Sequence, residues 1–324
     1  LVDKTAVGGA GPGLRALLFT LILIALAVAI FFASRWYGTS YTFVVGYAVA
    51  QYIVLGSAWN ILGGYTGYVN FGVTAFFAIG AYSTVALNKL VPTMPLPAMV
   101  VIGGVLAGLV GLGTGYLTLR LRGVFFSIAT LALSVVVQTL ITNWDFVGGA
   151  RGAYVLRPRE APLIGGEYLQ YLFLIMLVLC VIVLATARAI ERSALGYGFA
   201  AIRDDEAAAE ASGVPTLKLK LIATTLSGGF MGMAGAPLPF YGTYLDPLSG
   251  FSLNYAVNAI AMPLIGGTGS WLGPVIGALL VGGLQEYIRV TISSAVNVLV
   301  AGVLLVAFVI VAPQGVVGLF QRKR

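Results

Sequence analysis

The sequence contains no histidine, one cysteine (Cys180) and little charge: Asp, Glu, Lys and Arg make up 9% of its 324 residues. Each shortage removes a class of chemistry. With no imidazole and one thiol, zinc sites, cysteine- or histidine-based nucleophile pairs and internal disulfides are excluded. Cys180 lies within an apolar run and reads as a buried thiol. No G-x-x-x-x-G-K-[ST] segment occurs, so the chain has no P-loop with which to hold ATP. Paired-carboxylate catalysis would need two acids inside the apolar regions. Only Glu286 falls there, and Arg289 lies close to one helical turn further on.

What remains is a composition unlike that of a soluble domain, which carries roughly 25% charged residues. Here 59% of residues are hydrophobic, in runs long enough to cross a hydrocarbon core of ~30 Å as helices. The short alternating strands of a membrane barrel are missing. The sequence predicts an all-α polytopic membrane protein forming a single transmembrane domain over 1–324. Ten spans are expected, at about 14–34, 40–58, 71–90, 98–119, 124–142, 168–187, 218–236, 252–266, 274–291 and 296–312. The third, eighth and ninth carry Gly or polar breaks, and one of them could be re-entrant instead of spanning. The first is followed by Arg35-Trp36-Tyr37 without a small-residue cleavage pattern, and reads as a retained span.

Orientation follows from the basic residues. If the 188–217 loop is cytoplasmic, both termini are cytoplasmic too. Most of the 18 Lys and Arg then fall on that side, among them Arg120, Arg122, Arg188, Arg192, Lys218, Lys220 and Arg322. The net charge of +7 therefore speaks of topology and anionic lipid, not of nucleic acid.

Glycine marks where function is expected. "ILGGYTGYVNFG" (61–72) and "LIGGTGSWLGPVIG" (264–277) each carry an apolar pair, Gly-Gly, then Thr and a further Gly, after the second and eighth spans. Gly63, Gly64 and Gly67 in one, with Gly266, Gly267 and Gly269 in the other, are expected to break the helix and line a translocation path. The bland alternative is close packing between tightly crossed helices. Neutral polar residues nearby, Asn60, Thr66, Asn70, Thr130, Asn254 and Asn258, suit a zwitterionic or uncharged solute. Each could equally make an ordinary interhelical hydrogen bond.

"AIRDDEAAAEASGVP" (201–215) concentrates charge in a chain that otherwise avoids it. Asp204, Asp205 and Glu206 are placed to start a short helix of about nine residues, and Gly213 with Pro215 to end it. Such a helix is marginal alone. Its alanines and flanking charges describe a docking element for a cytoplasmic partner.

These motifs together resemble the membrane permeases of branched-chain (hydrophobic) amino-acid ABC importers. "SALGYGFAAIRDDEAAAEASGVP" is similar to that family's coupling loop, "NILGGYTGYVNFGVTAFFAIGAY" to its N-terminal Gly-rich signature, and "LIGGTGSWLGPVIGALL" with "PQGVVGLF" to its C-terminal motifs. "LRLRGVFFSIATLAL" and "VGGARG" resemble its central span and external Gly-Gly segment. The resemblance covers about 40–320. It implies an ABC-importer permease fold, non-catalytic itself and without a cofactor of its own. A second homologous permease, two cytoplasmic ATPase subunits carrying ATP and Mg, and an extracytoplasmic solute-binding protein would complete the assembly in a prokaryotic inner membrane. Within it Arg203, Glu206, Ala207, Glu210 and Gly213 match the coupling segment. Val73 stands where the family commonly has His, Asn70 where Ser is usual, and Arg151 where a small polar residue is common. The family also serves urea, short amides and aromatic acids, so these departures leave the solute open. A stand-alone channel or secondary transporter is the reading from a different class.

Overall fold

The computed structural model describes residues 12–118, 123–159, 161–162, 165–291, 302–303, 306 and 315–321. It is an all-α polytopic membrane protein. Among the described residues, eight helical segments are long and apolar enough to cross a membrane. They comprise α1 (Pro12–Tyr37), α2 (Ser40–Thr66), α3 (Val73–Leu90), α4 (Leu96–Thr118), α5 (Val124–Thr142) and α6 (Tyr168–Glu191), then α9 (Thr216–Gly235) continued by α10 (Leu238–Gly242), and α11 (Pro247–Gly250) continued by α12 (Leu253–Gly266). Two short helices, α7 (Ala194–Asp204) and α8 (Glu206–Ala211), lie between α6 and α9. The third and eighth expected spans are thus formed. The ninth is helical from Leu272 to Thr291, as α13 (Leu272–Gly277), a π turn over Ala278–Gly282 and α14 (Gly283–Thr291), and is not among those eight segments. Most of the expected tenth span, 296–312, and the Arg289 side chain lie outside the described residues. A last helix, α15, covers Gly315–Gln321.

The core forms around α2, which packs on α6, α9 and α12 and buries side chains on every side over its second half. A helix apolar all round needs protein or lipid on all faces; α2 finds protein. Tyr47 stacks on Tyr241 with ring centroids 4.2 Å apart, and the Gln51 amide donates to the Ala234 carbonyl at 3.2 Å. By contrast α1 buries only Leu23 and Phe31 and leaves most of its other large apolar side chains exposed, as a lipid-facing helix does. The tightest packing joins α4 to α9 through small residues. A Cβ on Gly232 would overlap the Ala107 methyl, and one on Gly80 of α3 would overlap the Gly232 carbonyl. Without a hydrophobic drive between helices in lipid, this close approach of backbones supplies the dispersion energy.

At one end of the bundle the segments after α5 and α10 meet. β1 (Ala153–Tyr154) pairs antiparallel with β2 (Tyr244–Leu245), with Ala153 opposite Leu245, and Val155 N donates to Thr243 O at 2.9 Å. The 143–167 and 237–251 loops therefore share one end. The 188–217 segment, the α2–α3 turn and the α12–α13 turn share the other.

Candidate functional site

The α2–α3 turn begins where Gly67 takes a left-handed conformation (φ 77°), which glycine adopts without a Cβ penalty. Gly63 and Gly64 do not break the helix as expected: α2 runs through both to Thr66. Both are crowded: a Cβ on Gly63 would press on the Trp59 ring of the same helix, and one on Gly64 would overlap the Asn60 amide and crowd the Thr268 carbonyl. Thr66 closes its own helix by donating to the Leu62 carbonyl at 2.6 Å.

Every turn of the following segment is held. Asn70 Oδ1 accepts from Gly72 N at 2.7 Å, an Asx-type turn, and Trp59 Nε1 donates to Asn70 O at 2.9 Å. From α5, Ser127 Oγ donates to Val69 O at 2.8 Å and Thr130 Oγ1 accepts from Phe71 N at 3.1 Å. Thus Asn70 and Thr130 come together as backbone clamps of one turn.

The second turn follows the same logic. Gly266 ends α12, Gly267 (φ 121°) leaves helical geometry, and Gly269 is exposed. Asn60 Nδ2 reaches from α2 to Ser270 O at 3.4 Å, so the body of α2 is tied to the second turn. Glu191, the last residue of α6, accepts from Trp271 N at 3.1 Å. Next to it the Arg188 guanidinium lies 3.7 Å from the Phe19 ring centroid, a cation–π contact. Asn254 and Asn258 do not join these turns. Asn254 is exposed at the start of α12, whereas Asn258 is buried and accepts from Gln285 Nε2 at 3.0 Å.

The 188–217 segment differs from the single nine-residue helix expected. Asp204 ends α7, the chain bends at Asp205 (φ −158°, ψ 105°), and α8 holds only six residues. The reason is local: Asp205 Oδ1 accepts from Ala207 N at 2.9 Å and Ala208 N at 3.0 Å, an N-cap that starts a new helix. Gly213 ends it with φ 84°, as the sequence predicts. Arg203 and Asp204 form an exposed pair at 3.3 Å, and the Arg203 stem packs over Gly67. Ala207 and Glu210 are exposed.

Glu206 lies elsewhere. Its Oε1 accepts from Lys220 Nζ at 2.7 Å, and its Oε2 accepts from the Tyr68 hydroxyl. Lys220 Nζ also donates to Tyr68 Oη at 3.3 Å and sits 4.9 Å from that ring's centroid. Lys220 is 3% exposed, not the surface cation that counting basic residues implies. Tyr68 in turn packs edge-on against Phe126 of α5 at 5.1 Å. Sequence reasoning missed Lys220 and Tyr68. The available signal was Lys220 inside the apolar run "LKLKLIATT", where an ionisable group implies a partner.

Apolar spans around glycine-turned helices, with a polar segment gripping those turns from one end, define a multi-pass membrane protein with the parts of a transporter. The chain belongs to the family described as branched-chain amino acid transport system / permease component, whose model matches residues 41–309. It is 28% identical to the high-affinity branched-chain amino acid transport system permease protein LivM of Escherichia coli (strain K12), over 94% of this chain and 76% of that protein. The same-named protein of Salmonella typhimurium (strain LT2) is 27% identical over the same shares. No solved structure matches the chain.

Proposed function

We propose that the chain is the transmembrane permease subunit of an ATP-driven importer that takes up branched-chain or other hydrophobic amino acids by alternating access. It is a membrane component of a transport system by family. The solute and the energy source are inferences. The solute follows the family and its relatives; the energy source is carried by the contact between the 188–217 segment and both glycine turns: Arg203 on Gly67, Glu206 on Tyr68 and Glu191 on Trp271 N. A force applied to that segment from outside the bundle would reach the helix ends that a transporter must move.

In this reading the exposed face of the segment, with Arg203, Asp204, Ala207 and Glu210, docks on one of two partner ATPases, which bind ATP and Mg. A second homologous permease and an extracytoplasmic binding protein complete the importer, with delivery near the paired 143–167 and 237–251 loops. The chain sits in a prokaryotic inner membrane with the 188–217 segment and both termini in the cytoplasm. The Asn258–Gln285 pair and the Asn60 amide give a path with neutral polar groups, which suits a zwitterion that is passed along and not held.

The test is to purify the C-terminally tagged chain gently from its native membrane and identify its companions by mass spectrometry. A P-loop ATPase and a second permease in fixed stoichiometry are expected. ATP-dependent uptake of labelled leucine, isoleucine and valine by the reconstituted assembly, in excess of urea uptake, would establish the solute class. Solute flux through the isolated chain in liposomes would instead make it a channel or secondary carrier.

A further inference from the structure

Glu206 is one of the four acids that the sequence assigns to partner docking, yet its carboxylate is turned toward the bundle. Both oxygens are engaged there, one by the Lys220 ammonium at 2.7 Å and one by the Tyr68 hydroxyl. The three residues come from three elements: Glu206 opens α8, Lys220 lies in the second turn of α9, and Tyr68 follows Gly67 in the α2–α3 turn. The pair is secluded, with side-chain exposures of 14% for Glu206 and 4% for Lys220. A charge pair this dry is costly to separate, so its members move together or not at all.

Tyr68 extends the reach of the cluster. Its ring packs against Phe126, and Ser127 and Thr130, the next residue and one turn further along α5, clamp the backbone of Val69 and Phe71. Any displacement of α8 relative to α9 therefore acts on the α2–α3 turn and, through it, on the start of α5. The path is one of direct hydrogen bonds and ring contact, without a gap.

We infer that Glu206, Lys220 and Tyr68 form an internal link that positions the α2–α3 turn according to where the loop helix stands, and that Glu206 serves this link and not the partner's surface. The inference rests on the ATP-driven importer reading and adds the residues that convert loop movement into helix movement. Glu206 is in this sense a positioning residue. Docking is left to the exposed side of the same segment, where Asp204 and Glu210 lie.

The experiment uses the importer purified with its own partner subunits and reconstituted in liposomes, and reads solute taken up per ATP hydrolysed. E206Q alone leaves a buried ammonium without its carboxylate and can fail to fold for that reason. The double variant E206Q/K220M removes both charges and keeps the volume. It should assemble with the ATPase as the native chain does and hydrolyse ATP, while uptake per ATP falls about tenfold. Y68F should lower the same ratio with assembly intact. The exchange E206K/K220E should recover a large part of it, which a purely packing role would not require.

Wild-type uptake per ATP in E206Q/K220M would overturn the inference and reduce the cluster to local structure. Loss of the ATPase from a well-folded E206Q/K220M assembly would overturn it too, by returning Glu206 to docking. Failure of the importer reading itself looks different: the unaltered chain would then carry no P-loop ATPase and its transport would not depend on ATP.

Discussion

Gly67 joins a left-handed backbone to a crowded neighbour, since an added Cβ would lie 3.2 Å from Arg203 Cγ. Gly67→Ala is expected to cost about 1–2 kcal/mol from the backbone alone, and to lower uptake because the lost fit lies between the loop segment and the turn. Thermal unfolding of the purified protein and solute uptake measure the two effects separately. Gly80 serves as a control of another kind. A side chain there overlaps the Gly232 carbonyl, which cannot swing aside as a flexible side chain would. Gly80→Val should therefore destabilise the α3–α9 packing by about 1–3 kcal/mol, visible as a lower unfolding temperature. On the exposed side of the loop, Glu210→Lys reverses a charge on the face assigned to docking. It is expected to weaken retention of the ATPase by about tenfold, measured by co-purification at rising salt. Unchanged retention would remove Glu210 from the docking surface.

Among elements, α8 depends most on a single group. Its six residues are too few to stand by propensity, and Asp205→Ala removes the cap that starts it, at a cost of about 1 kcal/mol. Hydrogen exchange of the amides over 206–213 should accelerate in that variant while α9 stays protected. The helix is also the element the sequence describes least well. Three acids in a row read as one helix start, but a capping side chain serves only the amides two and three residues on, so Asp205 divides the run and leaves Asp204 behind. The pairing of Glu206 with Lys220 was illegible for a related reason. Pro215 separates them, so no helical spacing connects them, and only the fold of α8 back on α9 does. The first eight of the expected spans were legible because apolar length alone determines them in a bilayer. Gly63 and Gly64 misled as helix breakers because membrane helices carry glycine in their interiors, here beside Trp59 and Asn60 of the same helix. Among the six glycines expected to break a helix, only Gly67 and Gly267 carry positive φ angles.

At the scale of the molecule, the two ends have different work, and their sidedness can be read with thiols. Cys180 is buried, so a cysteine introduced elsewhere reports without competition from it. Tyr154→Cys, at an exposed position of β1, is expected to react with a membrane-impermeant maleimide in intact cells. Arg192→Cys, exposed at the end of α6 and outside the face assigned to docking, should react only after the membrane is opened. The reverse pattern would invert the proposed orientation. The lipid-facing α1 and the buried α2 bear on how such a chain enters a membrane at all. The helix with the fewest protein neighbours is also the most apolar of the spans, whereas α2, α3 and α9 are among the least apolar and lie deep in the bundle. Partitioning from the translocon rewards greasiness one segment at a time. The outer helix can thus settle in lipid unaided, while the central ones, of which α2 and α3 flank the first glycine turn, are poor entrants that depend on their companions for a place. Biogenesis of this chain should accordingly be most vulnerable in its centre: a substitution that is harmless in the finished protein can still halt α3 or α9 at the point of insertion.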